Sequence, residues 1–300
     1  QRMVNRYQLK GSLGRGGISQ VSRAYDLEKK RDVAIKRLLP HNESRLRDAE
    51  FASLQREALA LSRLKHPNVV ELYELCEDEN GSYAVLEMIQ GESLETLIRE
   101  GALTASDFML VASQSLSALA AAEEIQLLHR DLKPSNLMLT RNDTGGLEVK
   151  ILDFGVSKFL SQPSLQTVDL NGAIVGSVDY IAPEQLEHQP LDSRTDLYSL
   201  GCVFYYCLTQ RPPFHGESPA QTMRNHLSNE RPSLSRLRPD LPPSLCDWVL
   251  CLLARRPDDR PGGAKEALRQ FHALASEELT EEKSASKSAH HFLPLAVVDG

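Results

Sequence analysis

Residues 129–136 read His-Arg-Asp-Leu-Lys-Pro-Ser-Asn, and seventeen positions past Asn136 the chain reads Asp153-Phe154-Gly155. Just before the second segment, residues 149–152 are Val-Lys-Ile-Leu, an apolar run with strand character. This pair of segments constrains the fold more than any other feature. Residues so far apart in sequence share a use only if the strand delivers Asp153 to the same spot as Asp131 and Asn136. One carboxylate then orients a hydroxyl, while an amide oxygen and a second carboxylate supply the hard oxygen ligands that Mg²⁺ favours. Asp-x-Gly is also ordinary turn chemistry, so Asp153 draws its weight from the strand that carries it.

Three hundred residues exceed the usual single-core size and suggest two lobes or domains. An apolar share of 41% with 25% charged residues is ordinary for a soluble globular chain. The formal charge of −7 argues against a nucleic-acid surface, which is normally basic. No apolar run approaches the roughly 18 to 20 residues that cross a bilayer, and no secretory signal opens the chain. Because it starts at Gln1, we expect an excised piece of a larger protein, cytoplasmic or the cytoplasmic part of a membrane-anchored one. The cysteines at 76, 202, 207, 246 and 251 lack metal-ligand spacing and are expected to be core thiols in a reducing compartment.

Residues 7–38 pattern as strands around a glycine cluster, with Asp32-Val33-Ala34-Ile35-Lys36 alternating at period two. Residues 45–64 turn helical, with Phe51, Leu54, Ala58, Leu61 and Leu64 at three- and four-residue spacing, and His66-Pro67-Asn68 stops them. Strands are expected at 69–75 and 82–88 about a turn at 78–81. Helices follow: one capped by Ser93, a long one opened by Thr104 with Asp107, then 193–208, 218–227, 244–254 and 263–275. Pattern alone gives an α+β chain of two domains. Residues 276–300 read as a solvated linker or tail.

Three further segments join the first two. Gly14-Arg15-Gly16-Gly17-Ile18-Ser19-Gln20-Val21 lies between strands, where glycines let backbone N–H groups approach phosphate oxygens. On its own, a glycine-rich hairpin turn explains it equally well. Val33-Ala34-Ile35-Lys36 puts a small residue and a cation on one strand face. Residues 176–184 read Gly-Ser-Val-Asp-Tyr-Ile-Ala-Pro-Glu. In this order the motifs resemble the catalytic domain of a eukaryotic-type Ser/Thr protein kinase, most similar to the bacterial branch, from about Tyr7 to Ala275. The resemblance implies an α+β kinase fold, with a β-rich lobe at 7–89 carrying one long helix and a mainly helical lobe at 90–275.

It further implies ATP as phosphoryl donor and Mg²⁺ (or Mn²⁺) as cofactor, with proteins, the chain itself included, as acceptors through Ser or Thr. Asp131 would orient the acceptor hydroxyl and Lys133 would neutralise developing charge. Asn136 and Asp153 would hold the metal. Lys36 would reach the phosphates, held by Glu57, with Glu50 on the same helix as the competing choice. Leu13, Gly14, Gly16, Val21 and Ala34 would enclose the nucleotide, and Glu87 and Ile89 would offer backbone groups to adenine beyond Leu86. Glu184 would pair with Arg260, and Asp196 would brace the catalytic loop. No nucleic acid and no membrane contact are implied.

The chain departs from the pattern in two places. Ser19 stands where the third loop glycine belongs, and Asp169 occupies a position where relatives carry phosphorylatable Thr, with Thr167 the nearest hydroxyl. We expect Asp169 to substitute in part for a phosphate beside Arg130. The competing reading is a kinase-fold scaffold without efficient catalysis. Retention of Lys36, Asp131 and Asp153 speaks against it.

Overall fold

The computed structural model describes residues 3–4, 6–15, 19–38, 61–78, 81–141, 146–154 and 178–289. Six antiparallel strands build the first lobe: β1 (Met3–Val4), β2 (Tyr7–Arg15), β3 (Ser19–Asp26), β4 (Arg31–Leu38), β5 (Leu72–Asp78) and β6 (Gly81–Glu87). Their order is β1-β2-β3-β4-β6-β5. Alternation divides the sheet as expected. Tyr7, Ala24, Val33, Ile35, Tyr83 and Val85 close a small core on one face. Ala34, Ala84 and Leu86 face the other way and join the main core. Register sets Ala34 opposite Leu86 and Lys36 opposite both Val21 and Ala84, so the buried Lys36 stands on the face turned to the second lobe.

The strand expected from residue 69 begins at Leu72 instead. The preceding residues are spent on the other lobe. Asn68 O accepts from Ile151 N at 2.8 Å, and Val70 N donates to Ile151 O at 2.9 Å. The buried Asn68 amide donates to Val149 O (2.9 Å) and to Gln114 Oε1 (2.8 Å). These bonds fix the first lobe to the strand that carries Asp153.

The second lobe opens on β7 (Glu92–Ser93), α1 (Leu94–Glu100) and α2 (Ala105–Glu124). Ser93 accepts from Thr96 N and Thr104 from Asp107 N, the caps the sequence calls for. A three-stranded sheet of β7, β8 (Leu137–Arg141) and β9 (Leu147–Ile151) lies beneath the first lobe. Then come α3 (Pro183–Leu186), α4 (Ser193–Thr209), α5 (Pro219–Ser228), α6 (Leu234–Leu237), α7 (Pro243–Leu252) and α8 (Ala264–Ala289). α4 is buried along nearly its whole length, which makes it the lobe's central post. Phe108 meets Phe204 edge-on at 5.3 Å, and Trp248 packs on Phe271 at 5.1 Å, joining α2, α4, α7 and α8. α8 continues past residue 275, where the sequence pattern ends it. The five cysteines are free thiols, and Cys202, Cys207 and Cys246 are buried. None of the described helices is long and apolar enough to cross a membrane.

Two buried polar groups set the stability of this lobe. Arg260 grips Glu184 through both terminal nitrogens (2.7 and 2.9 Å) and gives its remaining hydrogens to the carbonyls of Ala254, Arg194 and Arg255. Glu184→Ala strands a buried guanidinium and should cost about 3–5 kcal/mol, read by urea unfolding. His226 shares a 2.7 Å hydrogen bond with the Tyr198 hydroxyl and packs against Phe214. Burial pushes His226 down to about 4, with the nearby Asp179 carboxylate opposing only in part. The unfolded imidazole therefore binds its proton more readily than the folded one. Its contribution is complete above pH about 6.5 and is lost as pH falls toward 4, about 3 kcal/mol in all. The wild-type stability should carry that acid slope and His226→Gln should lose it, in unfolding titrations across that range.

Candidate active site

The segment 129–136 hangs from α4. Asp196, in its first turn and 2% exposed, accepts from His129 N and Arg130 N at 2.7 Å each. Burial pushes this carboxyl above the usual carboxylate range, while His129 and the two N–H groups pull it back. The bonds hold Arg130 in the left-handed region at φ 66°, a conformation that costs a side-chain-bearing residue free energy unless its surroundings enforce it. His129 reaches the other way. Its Nε2 donates to Leu152 O at 2.7 Å, its Nδ1 accepts from Asp131 N at 3.3 Å, and its ring meets Phe154 at 4.9 Å. One imidazole thereby ties the loop to the end of β9.

Beyond the loop, Lys133 Nζ donates to Asp131 Oδ2 at 2.8 Å. The Asn136 amide nitrogen donates to Asp131 O at 2.8 Å, which leaves its oxygen as the ligand atom the side chain offers. Asn136 O accepts from Leu152 N at 2.8 Å, so Asn136 and Asp153 are held by adjoining backbone bonds. Asp153 also takes a left-handed backbone, φ 61°. Its Oδ1 lies 2.7 Å from Lys36 Nζ, and Lys36 is 6% exposed. Lys36, Asp131, Lys133, Asn136 and Asp153 thus form one connected constellation drawn from both lobes.

Around it, Val21 is half-buried against the main core, Ala34 and Leu86 are buried, and Ile89 is half-buried. Leu13 is 50% exposed on β2, and a side chain added at Gly14 would meet nothing within 4 Å. Among the described residues, nothing covers that part of the sheet. Gly16 and Glu57, with its competitor Glu50, lie outside the described residues, as do Gly155, Thr167, Asp169 and Ser177. For Ser19, only the strand backbone is described.

The donor set suits a hard divalent cation that takes most of its ligands elsewhere. Asn136 and Asp153 offer two oxygens, and among the described residues no three His, Cys, Asp or Glu side chains gather into a site of their own. Mg²⁺ shared with substrate phosphates fits that arrangement.

Sequence reasoning did not assign three contributors. His129 stands in the motif, but its two bonds depend on where β9 ends. Gln185 accepts from Ala182 N at 3.0 Å and donates to Arg130 O at 3.1 Å, coupling α3 to the loop. Its place three residues after Ala182 is a capping signal that points to the first of these bonds. Lys150 Nζ lies 3.1 Å from Glu87, so the Glu87 side chain, read only for its backbone, links β6 to β9.

Asp196→Asn retains the shape but turns an amide N–H₂ toward one of the two backbone donors. It should cost about 1–3 kcal/mol. Hydrogen exchange should accelerate at His129 and Arg130, more than at amides on the far side of the lobe.

Comparison with known proteins gives the chain its family. The protein kinase domain model matches residues 7–272. A probable serine/threonine-protein kinase of Streptomyces coelicolor is 36% identical over 272 residues, which cover 89% of this chain and 39% of that protein. Serine/threonine-protein kinase PknB of Mycolicibacterium smegmatis is 35% identical, with 89% and 42% covered. The chain spans about two fifths of the length of these curated relatives. The crystal structure of Rad53 in complex with AMP-PNP superposes with a TM-score of 0.71 over 88% of this chain and 64% of that one, at 24% identity. That similarity establishes the fold.

Proposed function

This chain belongs to the protein kinase domain family, and from that premise we propose that it transfers the γ-phosphoryl group of ATP to Ser or Thr hydroxyls of proteins, itself included. The observation that carries the proposal is the constellation itself. A buried lysine from one lobe sits 2.7 Å from Asp153, while Asp131 and Asn136 are bonded to each other on the loop beside it. The catalytic domain is taken as residues 7–275, with 276–300 as a tail, working in the cytoplasm.

In this reading the acceptor hydroxyl lies at Asp131, which orients it and takes its proton as the oxygen bonds to the γ-phosphorus. The bond to the β–γ bridging oxygen breaks and ADP leaves. Lys133, already bonded to Asp131, balances charge on the transferred group. Lys36 orients the phosphates, with Glu57 as its further partner. Mg²⁺ or Mn²⁺ held by Asn136 and Asp153 supplies positive charge at the phosphate oxygens. Leu13, Gly14, Gly16, Val21 and Ala34 cover the nucleotide, and the backbones of Glu87 and Ile89 meet the adenine edge. The bound AMP-PNP of the Rad53 complex supports the nucleotide assignment by likeness of fold. Lys36, Asp131 and Asp153 are all present, and no observation favours a scaffold without catalysis.

Radiolabelled phosphate transfer from ATP with Mg²⁺ to a generic Ser/Thr acceptor tests this. Wild type should label the acceptor. Asp131→Asn should lose about 10²- to 10⁴-fold, and Asp153→Asn should lose transfer and melt below wild type, because it leaves the buried Lys36 ammonium without its carboxylate. A wild-type protein that binds ATP yet labels nothing would overturn the proposal.

A further inference from the structure

Gln185 sits in the single turn of α3, immediately after Glu184. Its neighbour is immobile, because Arg260 clamps the Glu184 carboxylate inside the lobe. Consecutive helical residues point about 100° apart. Glu184 therefore turns inward while Gln185, half-buried, turns to the 129–136 loop. Its Oε1 accepts from Ala182 N at 3.0 Å and its Nε2 donates to Arg130 O at 3.1 Å. The partners fix which end of the amide is which. Rotated, it would set its N–H₂ against an N–H and its oxygen against a carbonyl. A glutamate, the other common partner in such a cap, would satisfy Ala182 N and repel Arg130 O. The amide serves both.

Arg130 O belongs to the same peptide unit as Asp131 N, so its direction sets the plane from which the Asp131 side chain departs. That plane is held on two sides. Gln185 holds the oxygen at 3.1 Å, and His129 Nδ1 accepts from Asp131 N at 3.3 Å, the longer and weaker bond. The plane follows a residue kept at φ 66°, which relaxes unless surrounding bonds enforce it. Asp196 restrains Arg130 at its N–H, and Gln185 restrains it at its carbonyl. Without the second restraint, ψ of Arg130 is free to drift and Asp131 drifts with it.

Resting on the kinase reading above, we propose that Gln185 is a positioning residue for phosphoryl transfer. It fixes the Arg130–Asp131 peptide plane, so the Asp131 carboxylate is aimed at the acceptor hydroxyl while α3 is seated against the loop. The bond touches neither nucleotide nor acceptor. Its loss therefore lowers kcat and leaves the KM for each substrate unchanged.

Three variants separate the two bonds. Gln185→Glu keeps an acceptor for Ala182 N and loses the donor. Gln185→Lys keeps a donor for Arg130 O and loses the acceptor. Gln185→Met fills similar space with neither. Each is assayed by steady-state transfer from ATP with Mg²⁺ to a Ser peptide, by melting temperature, and by hydrogen exchange at Asp131 N–H. Gln185→Glu and Gln185→Met should lower kcat about tenfold, the scale of a sub-ångström misplacement of a reacting group, and should speed exchange at Asp131. Gln185→Lys should melt lower yet retain most of kcat and the slow exchange. If kcat falls alike in all three, or only in step with melting temperature, Gln185 serves the fold alone and the proposal is wrong. Transfer by wild type with an unchanged kcat in Gln185→Glu also overturns the proposal, and leaves the kinase reading standing. Transfer to no acceptor by wild type removes that reading and the proposal with it.

Discussion

Asp196 gives both carboxylate oxygens to the main-chain N–H groups of His129 and Arg130, 2.7 Å each, from inside the second lobe. A carboxylate buried to this degree is costly, and the cost shows in the upward push on its titration. Two short backbone bonds offset that cost, and they do so only if the loop adopts the backbone that presents both donors. The burial of one side chain thereby dictates the conformation of another segment. Arg130 is held left-handed by this demand, and Asp131 follows in the orientation that the turn leaves it. The same helix fastens the Val178–Tyr180 turn through Ser199, so that turn and the 129–136 loop share one rigid reference.

A second constraint operates between the lobes. Lys36 is carried by β4, while Asp153 follows β9, and nothing in either strand fixes their separation. That is set by bonds further back: Asn68 on Val149 and Gln114, Val70 on Ile151, and Glu87 with Lys150. A lysine with so little exposure requires an anionic partner nearby. Asp153 meets that need with a left-handed backbone, so the strain at one residue and the buried charge at the other are satisfied by the same 2.7 Å contact.

Much of this was legible in the sequence because the signals were local. Thr104 with Asp107, Ser93, and Ser218 before Pro219 announce helix starts, and each accepts the bond its position implies. Alternation around Lys36 assigns its face correctly, because a strand's period is fixed by geometry. The loop and the Asp-Phe-Gly segment were recognisable as a unit because their spacing matches the two strands, β8 and β9, that separate them. Failures arose where a residue's use depends on a distant one. Val69 and Val70 look like a strand start, yet Val69 N donates to His66 O and Val70 N to Ile151 O in β9. α3 and α6 span four residues each, too short for any period to emerge. Lys150 reads as the exposed phase of a strand, and its pairing with Glu87 appears only once the lobes are assembled.

The roles of Asp179 and Glu184, five residues apart, show why residue type alone says so little. Asp179 precedes α3 and Glu184 lies in its first turn, and each carboxylate has a basic partner far along the chain. Glu184 is enclosed with Arg260, whose five donors are each taken, so the pair has no capacity left for a ligand and serves the fold. Asp179 is partly exposed, and the His215 imidazole that donates to it is mostly exposed. Water screens that contact, so it adds little to stability. Burial, which is not visible in sequence, separates an enclosed structural ion pair from one at the surface.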